Sequence, residues 1–241
     1  MKWIIVSGDS RGVGREIVHQ ILAKTEFGVI GISRSSEDAA GELLAKYPDR
    51  FKPLSYDLTD VDGIKQLYME EIRKIGSIYG LVNNSAMAYD DIVSNLNVQQ
   101  LQTMFQVNVF AAMHLSKYAI RDMLLHKTQG SIVHISSISA HTGYKGLSMY
   151  AASKGAMEAF SKNTAREWGS KGIRSNCVVP GFMETSMSTA LTEDQKARIY
   201  QRTSLKKETD ISSVASTVLF LLSDQAKSIT GTVVHVDNGT I

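Results

Sequence analysis

The sequence predicts an α/β fold: one domain, residues 1–241, built on a doubly wound parallel sheet with helices on both faces. Three observations carry this. Short runs rich in Ile and Val recur along the chain without polar alternation, as strands covered on both faces require. Longer amphipathic stretches separate them. A glycine-rich turn follows directly on the first apolar run, at the place where open sheets of this class bind ligands.

The elements follow in order. Lys2–Val6 is the first expected strand, and it runs through the glycine turn into an amphipathic helix at Gly14–Lys24. Val29–Ser33 and Phe51–Tyr56 are the second and third strands, and Val61–Ile75 is the next helix. Ile78–Val82 then leads to a long helical stretch at Val98–His126. Ser131–Ser136 precedes the helix Met149–Gly169, and Arg174–Val179 follows it. A segment at 182–200 is expected to cover the site, with Met183, Met187 and Leu191 on its inner face. The helix Ile211–Leu222 and the strand Val233–Val236 close the chain. The sequence contains only three prolines and no Pro/Gly/Ser-rich linker or internal repeat, so nothing divides it.

Composition narrows the function classes. Hydrophobic residues are 43% and charged residues 21%, an ordinary globular mix. A formal net charge of +2 gives no bulk electrostatic case for nucleic acid. No stretch approaches the roughly 20 apolar residues that span a bilayer. The single cysteine, Cys177, cannot form an intrachain disulfide and reads as a buried thiol. The six histidines show no compact ligand spacing, and no metal is expected. A cytoplasmic protein without a membrane or nucleic-acid partner is expected.

The turn reads Ser7-Gly8-Asp9-Ser10-Arg11-Gly12-Val13-Gly14. Glycines let backbone approach a pyrophosphate, and the helix start offers it free N–H groups. Gly8, Ser10, Arg11, Gly12, Val13 and Gly14 are therefore candidate dinucleotide contacts, and the fold reads as Rossmann-like. Asp9 is an awkward neighbour for phosphates. An acid usually ends the second strand and takes the ribose 2′-hydroxyl. Here that strand ends Ser33-Arg34-Ser35, without one. Arg34, joined by Arg11, suits a 2′-phosphate instead, so NADP(H) is the expected cofactor.

Tyr150-Ala151-Ala152-Ser153-Lys154 places Tyr150 and Lys154 four residues apart on one helix face. A nearby ammonium favours a phenolate and should draw the Tyr150 pKa down toward useful acid–base chemistry. Ser137 lies just past the fifth strand, where its hydroxyl can steady a developing alkoxide. Ser136 is the alternative, one residue earlier.

Spacing and order together resemble the short-chain dehydrogenase/reductase family over essentially the whole chain. Carrying the resemblance are the glycine turn, Asn83-Asn84-Ser85-Ala86, Ser137 with Tyr150 and Lys154, Asn176-Cys177-Val178-Val179-Pro180-Gly181, and the end Ile229-Thr230-Gly231-Thr232 with Val236-Asp237-Asn238-Gly239. Within the family the sequence is most similar to bacterial 3-oxoacyl-[acyl-carrier-protein] reductases, through Gly181–Thr185, Leu191–Gln195 and Phe220–Asp224. Two departures stand out: Asp9 replaces a small residue, and Asn-Asn-Ser-Ala replaces Asn-Asn-Ala-Gly.

The resemblance implies reduction of a ketone, by hydride from NADPH and a proton from Tyr150, with Ser137 orienting the oxygen. It implies that Lys154 also holds the nicotinamide ribose. Asn108 would organise a water-linked proton relay. Asp57 and Leu58 would lie near the adenine, and Asn83, Ser85, Pro180 and Gly181 would line the cofactor cleft. The substrate implied is a 3-oxoacyl thioester on acyl carrier protein, with Lys127 and Lys171 near the docking positions. A free sugar or cyclic alcohol, or a non-catalytic NADP(H)-binding subunit, are the alternatives. The long helices Val98–His126 and Met149–Gly169 would build a homodimer, and a second interface a homotetramer.

Overall fold

The computed structural model describes residues 1–184 and 192–240. The strands are β1 (Trp3–Ser7), β2 (Gly28–Ser33), β3 (Phe51–Ser55), β4 (Ile78–Asn83), β5 (Ser131–Ile135), β6 (Arg174–Pro180) and β7 (Val233–Val236). They form one parallel sheet in the order β3-β2-β1-β4-β5-β6-β7. The helices are α1 (Gly12–Lys24), α2 (Ser36–Lys46), α3 (Ile64–Leu67), α4 (Arg73–Ile75), α5 (Val98–Phe105), α6 (Ala112–Leu125), α7 (Ser148–Trp168), α8 (Glu193–Tyr200) and α9 (Ile211–Leu222).

Alternation along the central strands explains the two layers. Ile4 and Val6 of β1 pack with Ile17, Ile21, Val214, Val218 and Leu221 of α1 and α9. Trp3 and Ile5 face the other way, onto Leu115, Ala119 and Met123 of α6. Both sheet faces are thus apolar, which is why these strands lack polar alternation.

Every expected strand is present, with ends within one residue of the reading. The differences lie in the helices. Ser36–Lys46 and Glu193–Tyr200 are helical. Val98–His126 is not continuous: a π-helical segment, Gln106–Ala111, separates α5 from α6. Val61–Ile75 is likewise interrupted, by a π segment at Tyr68–Ile72 between α3 and α4. Such insertions often mark functional positions. Among the described residues, no helix is long and apolar enough to cross a membrane, and no cluster of three or more His, Cys, Asp or Glu could hold a metal.

The strand order reverses between β1 and β4, whose neighbours run outward in opposite directions. The crevice at their carboxyl ends is the ligand position for this architecture. The β1–α1 turn and the segment after β4 meet there.

Candidate active site

Two glycines of the β1–α1 turn have distinct jobs. Gly14 opens the second turn of the helix start against the loop: a Cβ there would lie 2.0 Å from the Gly8 carbonyl oxygen. Gly12 has φ +54°, a left-handed conformation, and faces open space. Arg11, the residue preceding α1, caps it with no side-chain hydrogen bond, so first-turn N–H groups face the crevice. Arg11 and Gly12 are exposed, Ser10 is half-buried, and Val13 packs into the core. This is a cradle for an anionic ligand such as a pyrophosphate, and the residues present fit one.

Asn84 secures the turn. Its Nδ2 donates to the carbonyl oxygens of Ser7 (3.0 Å) and Gly8 (3.1 Å). Ser7 Oγ in return accepts from the Asn84 and Ser85 backbone N–H groups, both at 3.0 Å. Ser85 thus borders the cradle through its backbone, close against Gly8.

Asn83, expected in the cleft, points the other way. Its Nδ2 donates to Ala112 O (3.3 Å), Ser116 Oγ (3.0 Å) and His134 Nδ1 (3.1 Å), inside the sheet–α6 layer. Side chains alternate across a strand, so the residue ending β4 faces α6 and its successor faces the turn. Burial pushes His134 down to about 3, and a neutral ring suits its place as acceptor from Asn83. Leu58, expected by the adenine, instead belongs to the core beside Ile5 and Ile64. Asp57 is exposed and closes on Thr59, accepting from its N–H and hydroxyl at 2.9 Å each.

The corner of β2 holds Arg34 exposed, with no acid at the strand end. Asp9 does not face this corner as a free charge. It is 1% exposed and accepts from Ser36 Oγ at 2.6 Å. Gly31 makes its room, because a Cβ there would lie 2.1 Å from Asp9 Oδ2. Burial raises the Asp9 pKa, against opposing hydrogen bonds and the Arg15 charge.

Ser137, Tyr150 and Lys154 converge at the carboxyl ends of β5 and β6. Ser137 follows β5 with extended backbone, its Oγ accepts from Ser139 N at 3.2 Å, and its side chain lies near enough to the Tyr150 hydroxyl to draw that group's pKa down. Lys154 Nζ lies 5.6 Å from the Tyr150 ring centre and donates to Ile135 O at 2.8 Å. Burial lowers Lys154 to about 8. The expected draw of Lys154 on the tyrosine is not what governs it: burial pushes Tyr150 up to about 12, Ser137 opposes this, and Asp90 adds to it. The ammonium is spent on a carbonyl, and the phenol sits in a low-dielectric wall. Ser136 is turned away, donating to Glu158 Oε1 at 2.5 Å.

Asn108 sits in the π segment. Its Oδ1 accepts from Met87 N, its Nδ2 donates to Met87 O, both at 2.9 Å, and Nδ2 also reaches Ser153 Oγ at 3.0 Å. It ties the post-β4 segment to the helix that carries the tyrosine.

Pro180 ends β6, and Gly181 donates its N–H to Val236 O at 2.9 Å. Met183 packs against the α1–α9 core layer. Met187 and Leu191 lie outside the described residues. Phe182 and Tyr200 approach at 6.0 Å between ring centres, and Glu184 accepts from Tyr200 (2.6 Å) and Lys196 (3.2 Å), joining the two described ends of the 182–200 segment. Lys127 and Lys171 are exposed beyond the C-termini of α6 and α7. Those ends adjoin the starts of β5 and β6, opposite the catalytic end.

Sequence reasoning missed Asn84, Glu158 and His141 as site-supporting residues. Asn84 was legible from strand alternation; the other two needed the loop's course.

A family model described as enoyl-(acyl carrier protein) reductase matches residues 8–240. The chain is 35% identical over 238 residues to a 3-oxoacyl-[acyl-carrier-protein] reductase, FabG, of Haemophilus influenzae, covering 99% of this chain and 97% of the relative. Among solved structures it superposes with TM-score 0.92 and 27% identity on a putative NAD(P)-dependent gluconate 5-dehydrogenase from Beutenbergia cavernae with bound NADP, covering 99% of this chain and 96% of that one. A 4-hydroxyisoleucine dehydrogenase complexed with NADH superposes with TM-score 0.91 and 26% identity, covering 100% and 98%. The chain belongs to the short-chain dehydrogenase/reductase family of oxidoreductases.

Proposed function

We propose that this enzyme reduces a 3-oxoacyl thioester to the 3-hydroxyacyl thioester with NADPH. The observation that carries the reading is the meeting of Ser137, Tyr150 and Lys154 from two elements at the carboxyl edge of the sheet. The relative from H. influenzae supports the substrate class.

When bound along the β1–α1 turn, NADPH would be the source of the hydride that the carbonyl carbon receives. Gly8, Ser10, Arg11, Gly12, Val13 and Gly14 would hold its pyrophosphate, Arg34 and Arg11 its 2′-phosphate, and Pro180 and Gly181 would border its nicotinamide end. Tyr150, kept protonated by burial, donates its proton to the carbonyl oxygen. Ser137 stands beside Tyr150 and orients the same oxygen. Lys154, buried and held by Ile135 O, fixes the helix face and stands near the phenol to balance the charge left behind. Asn108 holds the Met87 segment that walls the site.

An acyl carrier protein is the acidic donor that fits this reading, and Lys127 and Lys171 are its candidate contacts. Lys171 lies roughly 25 Å along α7 from Lys154, and Lys127 lies beyond the far end of α6. They would serve a neighbouring copy, which a homodimer or homotetramer built on these helices provides.

The test is NADPH consumption with an acetoacetyl thioester beside Tyr150→Phe. Turnover lost in the variant supports the reading. Silence of wild type on short and medium 3-oxoacyl thioesters rejects the thioester. Free hydroxy or keto acids, on which the structural neighbours act by their names, come next.

A further inference from the structure

A single carboxylate oxygen gathers both ends of the hexapeptide that contains Ser137. Glu158 Oε1 accepts from Ser136 Oγ at 2.5 Å and faces His141 Nε2 at 3.0 Å. Glu158 lies on α7, one turn past Lys154 and two past Tyr150, on the same face. It is 7% exposed, so its partners are hydrogen bonds rather than water. Within the Ser136–His141 stretch the backbone bonds run elsewhere: Ser136 N donates to Val178 O of β6 at 2.8 Å, Ala140 N to Ser137 O at 3.0 Å and His141 N to Ile138 O at 2.9 Å. None of these backbone bonds reaches α7. The Lys154–Ile135 bond fixes the residue before it, and the Glu158 contacts fix its first and last residues.

His141 is braced from behind. Its ring meets His235 of β7 edge-on, 4.8 Å between centres, and His235 Nδ1 lies 4.0 Å from Asp237 Oδ2. The groups facing His141 are therefore Glu158 from α7 and His235 from β7, with Asp237 behind the latter. Lys154 and Cys177 flank Glu158.

We propose that Glu158 and His141 are positioning residues for the reaction: they clamp the Ser136–His141 turn onto α7 and so hold Ser137 in register with Tyr150. The proposal rests on the reading above that Ser137 and Tyr150 act on substrate. Misplacing a reacting group by about 1 Å can cost on the order of a hundredfold in rate. Partial loosening through one clamp should cost about tenfold.

The experiment compares His141→Ala, His141→Gln and Glu158→Gln with wild type, reading kcat and KM for an acetoacetyl thioester and NADPH affinity by fluorescence. His141→Ala and Glu158→Gln are expected to lower kcat about tenfold with KM and NADPH affinity unchanged, as for an interaction felt in the transition state. His141→Gln, which keeps an N–H donor, should recover most of kcat. His141 lies at the surface, so its variants are expected to fold. Folded, NADPH-binding His141→Ala with wild-type kcat overturns the proposal. Amide hydrogen exchange needs no substrate and separates the two readings. Faster exchange at Ser139, Ala140 and His141 in Glu158→Gln supports the clamp even where wild type is silent on the thioester. Unchanged exchange there overturns it.

Discussion

The Lys154 amine donates to the Ile135 carbonyl oxygen at 2.8 Å, pinning the second turn of α7 to the last residue of β5. The cation is buried for this, and burial brings its pKa from 10.5 to about 8. Between those values the unfolded chain holds a proton that the folded one has released. Stability therefore rises with pH from about 8 to 10.5, and below 8 the full burial penalty stands. Lys154→Met removes the penalty, on the order of 3 kcal/mol, and loses a bond worth about 1 kcal/mol. It should be more stable than wild type at pH 7, with the advantage shrinking through pH 10, while turnover collapses. Urea denaturation across pH checks this; an advantage independent of pH refutes it.

Tyr150 and Ser137 form the second testable pair. Burial raises the phenol to about 12 and Ser137 pulls against that rise. Ser137→Ala should therefore move the alkaline rise of alcohol oxidation with NADP⁺ to higher pH, because oxidation needs the phenolate. Tyr150→Phe should lower turnover by roughly 100- to 10,000-fold with dinucleotide binding retained. A pH–rate profile with a 3-hydroxybutyryl thioester reads the first effect, and fluorescence titration of NADPH the retention.

The strands were legible because residues covered on both faces write themselves as Ile/Val runs, and the sheet's central pairing follows from the crossovers between them. Helix α2 was not. Its segment Ser36–Lys46 has few large apolar residues and carries Gly41, which sits at φ +24° and kinks it. The break at Asn108 was invisible as well, since the apolar rhythm of Val98–His126 continues through the π segment. Motif spacing does not report which way a residue faces. Asn83 and Asn84 are equivalent in a motif, and only the pleat decides that Asn84 reaches the glycine turn. The Tyr150 shift was misjudged because spacing reports the nearby ammonium and not the burial that outweighs it.

Glycines 14 and 155 make opposite predictions from one substitution. A Cβ at Gly14 meets backbone at 2.0 Å, whereas at Gly155, inside α7, it meets nothing within 4 Å. Gly14→Ala should lose about 1–3 kcal/mol by overpacking and weaken NADPH binding. Gly155→Ala should gain about 0.5–1 kcal/mol from helix propensity. Thermal unfolding and NADPH titration of both variants decide the matter; a Gly14→Ala protein that binds normally would contradict the cradle.

Arg34 stands exposed at the β2 corner where an acid would select NADH. A charge-assisted bond to a phosphate is worth about 1.5–3 kcal/mol. Arg34→Ala should weaken NADPH binding by roughly 10- to 100-fold and leave NADH nearly unchanged. Equal loss for both dinucleotides would place the 2′-phosphate elsewhere.

Asp9 gives the sharpest test of that corner, because it puts an acid inside the phosphate turn without offering it as a surface charge. Its carboxyl is buried against Gly31 and bonded to Ser36, and burial raises its pKa. For an acid raised on folding, the folded chain keeps its proton longer than the unfolded one. The group is harmless at low pH and increasingly destabilising as pH rises through its folded pKa. Asp9→Asn keeps an acceptor for the Ser36 hydroxyl and removes the charge. It should be more stable than wild type at pH 7, with the gain fading in acid. The same substitution removes a negative charge from the turn that receives phosphates, so NADPH should bind roughly tenfold tighter at pH 7. That gain should also fade as pH falls and wild-type Asp9 takes up its own proton. Denaturation and NADPH titration at two pH values read both effects, and a variant whose NADPH affinity matches wild type at each pH would show that the buried carboxyl does not face the bound phosphates.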